Sequence, residues 1–361
     1  MNILAPFDMV SEVKALIKAG ANELYCGVNS KWWKKRGLFS NARHMFYGNL
    51  NNFTELKKSL QISKKYGVPV FLCINDYLPE GAFQQVFRDI KMAIDLGVDG
   101  FIVADLSLIP FIKKNSEKCK IILSTLNPCF SSEGVSFYKG LGVDRIILPL
   151  NQLTLSEVEE ISLYGQKLSV EIEVFINNIV CKNIPANCLF NDFELFKQHY
   201  KCGFDIVMLG LKNAVKLVPN SVRNRLGKLL YSSRLHPKPC RQNFSVEVFA
   251  KTNGNLRKVK GMNSYSSEKD FAYPYCGLCS IYFLKQCKIT SGKISGRGYS
   301  IKRKINDVTF ARNFLNEMER KNMTEVNFAY KGREIYQKVY HQDCFKKRCQ
   351  FQKTLSFRND D

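Results

Sequence analysis

Five of the 13 cysteines of this chain sit where turns are expected. Cys181 and Cys188 bound the stretch Cys181-Lys-Asn-Ile-Pro-Ala-Asn-Cys188, Cys240 lies in Lys238-Pro-Cys240-Arg241, and Cys276 and Cys279 lie in Tyr275-Cys276-Gly-Leu-Cys279. Thiolates presented from loops suit either a tetrahedral zinc ion or a 4Fe–4S cluster. Only Cys276 and Cys279 form a close pair, so the spacing is not that of a zinc ribbon. Structural thiols are the third reading. Cys73 and Cys119 lie in or beside apolar runs and read as packing residues, while Cys26 near a strand end stays open between packing and site.

Other constellations are sparser. Glu171 and Glu173 alternate along one strand face, as paired carboxylates or as partners in a salt bridge. Lys293-Ile-Ser-Gly-Arg297 ends a strand in a glycine turn with two cations, able to grip a carboxylate or phosphate. The four histidines, His44, His199, His236 and His341, accompany no recognisable nucleophile motif. No HExxH, Walker A or GxGxxG pattern occurs.

The elements that must position these groups repeat one unit, an apolar run followed by an amphipathic stretch and a glycine return. Strands are expected at Met1–Phe7, Glu23–Val28, Val68–Asn75, Phe101–Ala104, Lys120–Ser124, Arg145–Leu148 and Leu168–Ile176. Helices fall between them, the first opening at an Asp8 N-cap. Gly97-Val-Asp99 and Gly142-Val-Asp144 are an internal echo. About seven such units predict an α/β fold of the TIM-like (β/α) barrel type, with chemistry at the C-terminal ends of its strands. Four segments are expected. Residues 1–188 form the first seven βα units, and 189–288 form an irregular basic insertion over the barrel mouth with the cysteine motifs. Residues 289–322 supply the closing strand and a helix from Asp307 to Arg320, and 323–361 form a basic C-terminal appendage. Within the insertion, Ser245–Thr252 and Asn255–Gly261 read as two strands.

With 54 basic against 32 acidic residues, the net charge of +22 favours an anionic partner such as RNA. No signal peptide and no membrane span are expected, and an odd cysteine count argues against a disulfide framework. A cytoplasmic location follows as an expectation.

Several stretches in their order carry a family resemblance. They are Glu23-Leu-Tyr-Cys-Gly27, the loop from Ser40-Asn-Ala-Arg43 to Phe53, Gly97 to Asp105, and Gly142 to Leu148. Glu173-Val-Phe-Ile followed by Cys181 and Cys188 comes next, then Pro239-Cys-Arg241, and finally Cys279 to Arg297. Together they resemble peptidase family U32, the collagenase-like proteases. The resemblance implies a barrel-like fold and, for several members, a 4Fe–4S cluster on four cysteines. It also implies oxygen-independent hydroxylation, in ubiquinone synthesis or on RNA bases, although other members are labelled peptidases. By position, Cys181, Cys188, Cys240 and Cys279 match the cluster cysteines, with Cys276 as the alternative to Cys279. The chain departs from the family at three places, with Asn177-Asn178 for His-Gly, Leu150-Asn151 for Arg-Glu, and Ser124-Thr-Leu126 for Ser-x-Gln.

These readings combine into an iron–sulfur protein acting in hydroxylation of RNA or of an aromatic quinone precursor. Glu173, Asn177, Arg43 and Arg297 would line its substrate pocket. Two alternatives remain. One is a peptidase, best served by zinc at the cysteines. The other is a non-catalytic, cluster-bearing partner of a second family member.

Overall fold

The computed structural model describes residues 1–29, 39–40, 43–44, 48–149, 153–177, 244–252, 255–264, 276–319, 324–341 and 343–344. Eight parallel strands close into a barrel: β1 (Asn2–Pro6), β2 (Glu23–Cys26), β3 (Val70–Ile74), β4 (Gly100–Val103), β5 (Lys120–Leu123), β6 (Arg145–Ile147), β7 (Glu171–Asn177) and β8 (Ser291–Ile294). Neighbours in sequence are neighbours in the ring, and β8 pairs back onto β1 with Asn2 opposite Ser291. The helices are α1 (Glu12–Lys18), α2 (Phe53–Lys64), α3 (Phe83–Leu96), α4 (Leu108–Asn115), α5 (Ser132–Gly140), α6 (Leu155–Lys167), α7 (Ile281–Gln286), α8 (Ile301–Glu317) and α9 (Glu325–Tyr340).

Strand pleating sends alternate side chains to opposite faces. Leu4, Tyr25, Phe71, Ile102, Ile122 and Phe175 fill the barrel interior. Their neighbours Ile3, Leu24, Val70, Phe101, Ile121 and Val174 point outward into the main core, which the helices share. Burial on both faces explains why the strands read as continuous apolar runs.

The Gly-Val-Asp echo has a physical basis. Gly97 and Gly142 sit at φ +85° and +90°, a region that favours glycine, and each closes a helix. Val98 and Val143 are buried. Asp99 Oδ2 then accepts the backbone N–H of Val70 at 2.8 Å, and Asp144 Oδ2 that of Ile121 at 2.8 Å. Each aspartate pins the start of a new strand to the strand before it.

Three local expectations are corrected. Asp8 does not cap α1, which starts at Glu12 after Ser11, because the Asp8 carboxylate is committed to Lys304. The strand expected from Leu168 starts at Glu171, since α6 runs on to Lys167 and Ser169 turns at φ +54°. The last barrel helix opens at Ile301 rather than Asp307, capped by the Ser300 side chain, which accepts from the Arg303 N–H. The chain divides into two compact units, the first Met1–Cys188 with Pro274–Asp361 and the second Leu189–Tyr273. Residues after it return to the barrel because Leu278, Ile281 and Leu284 are fully buried in its core. Within the second unit an antiparallel hairpin pairs Phe244–Thr252 with Asn255–Ser264. Phe39–Ser40 and Arg43–His44 form a short second hairpin in the barrel unit.

Candidate functional site

The charged residues inside the barrel form two levels. Near the N-terminal ends of the strands, Arg145 donates to both oxygens of Glu23 at 2.8 Å and to Glu171 at 2.6 Å. Ser291 and Asn2 complete the bonding of Glu23 at 2.9 and 3.1 Å. Burial opposes ionisation of Glu23, but the hydrogen bonds and charge of Arg145 outweigh it and hold the carboxyl below its ordinary value. Conversely, Glu23 and Glu173 hold Arg145 firmly protonated against the cost of burial. Charge at this end of a barrel serves stability.

Glu173 joins the two levels. It is fully buried, with Oε2 3.1 Å from Arg145 Nη1 and Oε1 3.1 Å from Lys293 Nζ. The Lys293 ammonium also lies 4.1 Å from the centre of the Tyr25 ring, a cation–π contact. Both oxygens of the predicted pocket carboxylate are therefore engaged by cations of the barrel itself.

Arg297 stands at the C-terminal end of β8 and is 2% exposed. Gly296 and Gly298 flank it at φ +146° and +94°. Its Nη1 donates to Asn49 Oδ1 at 2.8 Å, and Asn49 Nδ2 donates to Asn29 Oδ1 at 3.2 Å. This chain of side chains runs directly over Gly27, where an added Cβ would lie 2.1 Å from Asn49 Oδ1 and 2.5 Å from Arg297 Nη1. The glycine in the Glu23–Gly27 motif is thus a matter of space. Arg43, half-buried, packs its stem against Gly48 and adds its charge near the Tyr25 hydroxyl. Burial pushes that hydroxyl well above its ordinary value despite Arg297 and Arg43, and it donates to the Ile294 carbonyl at 2.9 Å.

A buried clasp holds this corner. Lys304 of α8 pairs with Asp8 and, at 2.8 Å, with Glu12, while Asp8 Oδ2 accepts the Gly48 N–H at 3.0 Å. Nothing in the sequence marked Lys304 or Asn49, because each is an ordinary polar residue whose partner lies hundreds of positions away.

Asn177, the fourth predicted pocket residue, ends β7 and is fully buried. Its amide donates to Asp307 at 3.2 Å and to the Tyr340 hydroxyl at 3.1 Å, and Tyr340 in turn donates to Asp307. Burial first, and Asp307 second, raise the Tyr340 hydroxyl well above its ordinary value. The backbone of Asn177 forms an antiparallel bridge with Cys276, and Gly277 donates to the Ile176 carbonyl at 2.9 Å. The half-buried Cys276 and Cys279 are therefore fixed to the C-terminal end of β7. Cys181, Cys188 and Cys240 lie outside the described residues, as do Asn178, Leu150 and Asn151. Among the described residues, no three His, Cys, Asp or Glu side chains gather as a metal site. Cys73 and Cys119 are buried in apolar surroundings, and burial pushes the Cys26 thiol well up, all as packing residues would be. No described helix is long and apolar enough to cross a membrane.

Comparison with known proteins adds the following. A family model described as peptidase family U32 matches residues 8–212. "tRNA hydroxylation protein P1" of Bacillus subtilis (strain 168) is 27% identical over 192 residues, covering 53% of this chain and 42% of the relative. "tRNA hydroxylation protein P" of Escherichia coli (strain K12) is 25% identical, covering 53% and 39%. A "Collagenase" of Porphyromonas gingivalis (strain ATCC BAA-308 / W83) is 26% identical over 202 residues, covering 53% and 45%. The chain thus spans less than half the length of each of these curated relatives.

Proposed function

The chain belongs to peptidase family U32, and on that premise we propose that it acts in the oxygen-independent hydroxylation of RNA, with tRNA as the first candidate substrate. In this reading Cys181, Cys188, Cys240 and Cys279 hold a 4Fe–4S cluster, with Cys276 as the alternative fourth ligand. The observation that carries it is the bridge between Asn177 and Cys276. Asn177 is the last residue of β7 before the stretch with Cys181 and Cys188. Four residues of extended chain reach about 13–14 Å, so the chain is long enough for Cys181 to meet the Cys276–Cys279 turn. Four cysteine thiolates are the donor set a 4Fe–4S cluster takes; Cys181 and Cys188 on one segment and Cys279 on another would supply three of them, and Cys240 the fourth. The names of the two tRNA hydroxylation relatives support RNA as the substrate class.

When bound, the cluster supplies one-electron chemistry. The chain's own residues do the positioning. Arg297, held by Asn49, and Arg43 orient an anionic group at the mouth, while Lys293 and Glu173 keep the interior beneath it neutral as a pair. Asn177, tied to Asp307 and Tyr340, fixes the point from which the cysteine-bearing stretch departs. A quinone precursor in place of RNA is the variant of this reading with a smaller substrate. The collagenase match favours a second reading, a peptidase, which requires zinc with an open coordination position at the cysteines.

The test is anaerobic purification with iron, sulfide and zinc analysis, together with mass spectrometry of tRNA nucleosides from cells lacking the chain. About four irons per chain and loss of a hydroxylated nucleoside are expected. One zinc without iron, and unaltered tRNA, would replace this reading with the peptidase. Iron without any change in RNA would point to the quinone substrate or to a partner role beside a second family member.

A further inference from the structure

The outer surface of the barrel is polarised in charge. Lys14 and Lys18 on α1, and Lys57, Lys58, Lys64 and Lys65 on and just after α2, are all exposed, and the two helices pack side by side. None of the six forms an ion pair among the described residues. The two helices expose no carboxylate, since Glu12 is buried against Lys304 and the half-buried Glu55 binds Asn51. Across the ring the balance reverses. β6 stands four strands from β2, and the helix following it, α6, exposes Glu157, Glu159 and Glu160 beside Lys167.

Six ammonium groups on and beside adjoining helices, without an ion pair among the described residues, repel one another, and screening by salt only reduces that cost. A polyanion laid across the face converts the repulsion into attraction and releases counterions. Lys57 and Lys64 stand two helical turns apart, about 10 Å, so a single stretch of nucleic-acid backbone can meet both. Tyr66, 43% exposed at the end of α2, adds a ring on which a base can stack. An anionic membrane is the poorer match, because α1 and α2 expose no large apolar side chain for insertion other than Tyr66 nearby.

We propose that the α1–α2 lysine face is the docking surface for the phosphate backbone of RNA, separate from the groups at the barrel mouth. The identity of the polyanion rests on the RNA reading above. The face would hold the body of the RNA while a single nucleotide reaches the mouth.

The full chain is titrated with bulk tRNA at several salt concentrations. Two variants of equal charge change are compared, K57Q/K58Q/K64Q/K65Q and K114Q/K118Q/K139Q/K167Q, the second on α4, α5 and α6 and in the turn after α4. Lysine to glutamine on an exposed helix face leaves helix propensity nearly unchanged, and a thermal melt of each variant checks folding. The α2 variant is expected to bind about 10-fold or more weakly, with the slope of log Kd against log salt reduced by about 3. The second variant is expected to bind like the wild type. Equal weakening in both variants, or none in either, overturns the proposal while leaving the RNA reading intact. A wild-type chain that binds no tRNA removes both. Loss of binding to phosphatidylserine vesicles in the α2 variant, with tRNA binding unchanged, assigns the face to a membrane and also overturns the proposal.

Discussion

Arg297 donates to Asn49 at 2.8 Å, joining residues 248 positions apart in the chain over a glycine with no room for a side chain. The arginine is buried, so its hydrogen bonds decide whether the corner holds. Asn49→Ala is expected to cost about 1–3 kcal/mol, the penalty for removing a partner from a buried donor. Gly27→Ala is expected to cost a similar amount by overpacking and to displace Arg297. Urea denaturation measures both. Wild-type stability in the alanine variant at 27 would show that Asn49 and Arg297 can move aside cheaply.

Glu173 is held between Arg145 and Lys293 with no exposure. Glu173→Gln leaves two buried cations short of one counter-charge, and breaking such a cluster costs about 3–5 kcal/mol. Glu173→Gln is therefore expected to unfold at markedly lower urea. If it instead folds normally and loses only the proposed hydroxylation, Glu173 belongs to the substrate pocket rather than to the barrel frame.

The pH dependence of Glu23 follows from its environment. Its carboxyl is held below the ordinary value of 4.5 in the folded chain, so the unfolded chain binds the proton first as the solution is acidified. The stabilisation is full above pH 4.5 and is lost as the pH falls through the folded-state value. Urea midpoints of wild type and Glu23→Gln, measured from pH 6 downward, are expected to converge only in acid. A constant gap would show that Glu23 stays ionised, or protonated, throughout.

Lys304 neutralises Asp8 and Glu12 together, all three side chains being buried. Lys304→Met strands two carboxylates and is expected to cost about 3–5 kcal/mol. The double variant Asp8→Asn with Lys304→Met should recover part of the loss. No recovery would mean that the Asp8 bond to Gly48 matters more than its charge.

For the cysteines, Cys181→Ser and Cys279→Ser are expected to abolish iron binding, and Cys276→Ser to retain it. Iron content and the visible spectrum after anaerobic purification measure this directly. The reverse outcome at 276 and 279 exchanges their roles.

The barrel was legible because its determinants are local. Apolar runs, glycine closures and the Gly-Val-Asp returns each act within a few residues, so strands and helices could be placed in order. The C-x-x-C pair was visible for the same reason. The clasp of Lys304 with Asp8, and the tie from Asn177 to Tyr340, were not, because a buried ion pair or hydrogen bond between distant positions has no periodic signature. Asp8 shows the conflict most clearly. It has the composition of a helix cap, but the Lys304 ammonium, placed by the closed ring, takes its carboxylate instead.

The ring closes only when residues 291–294 slot between β7 and β1. Everything from the end of β7 to the start of β8, including the whole second unit, must be synthesised before that happens. Until then a nascent chain presents two raw sheet margins, one at β1 and one at β7, each with a row of unmet backbone donors and acceptors. Expression of a version ending before β8 should therefore give aggregates rather than a smaller soluble barrel, and cellular chaperones should engage the chain for as long as its last strand is missing.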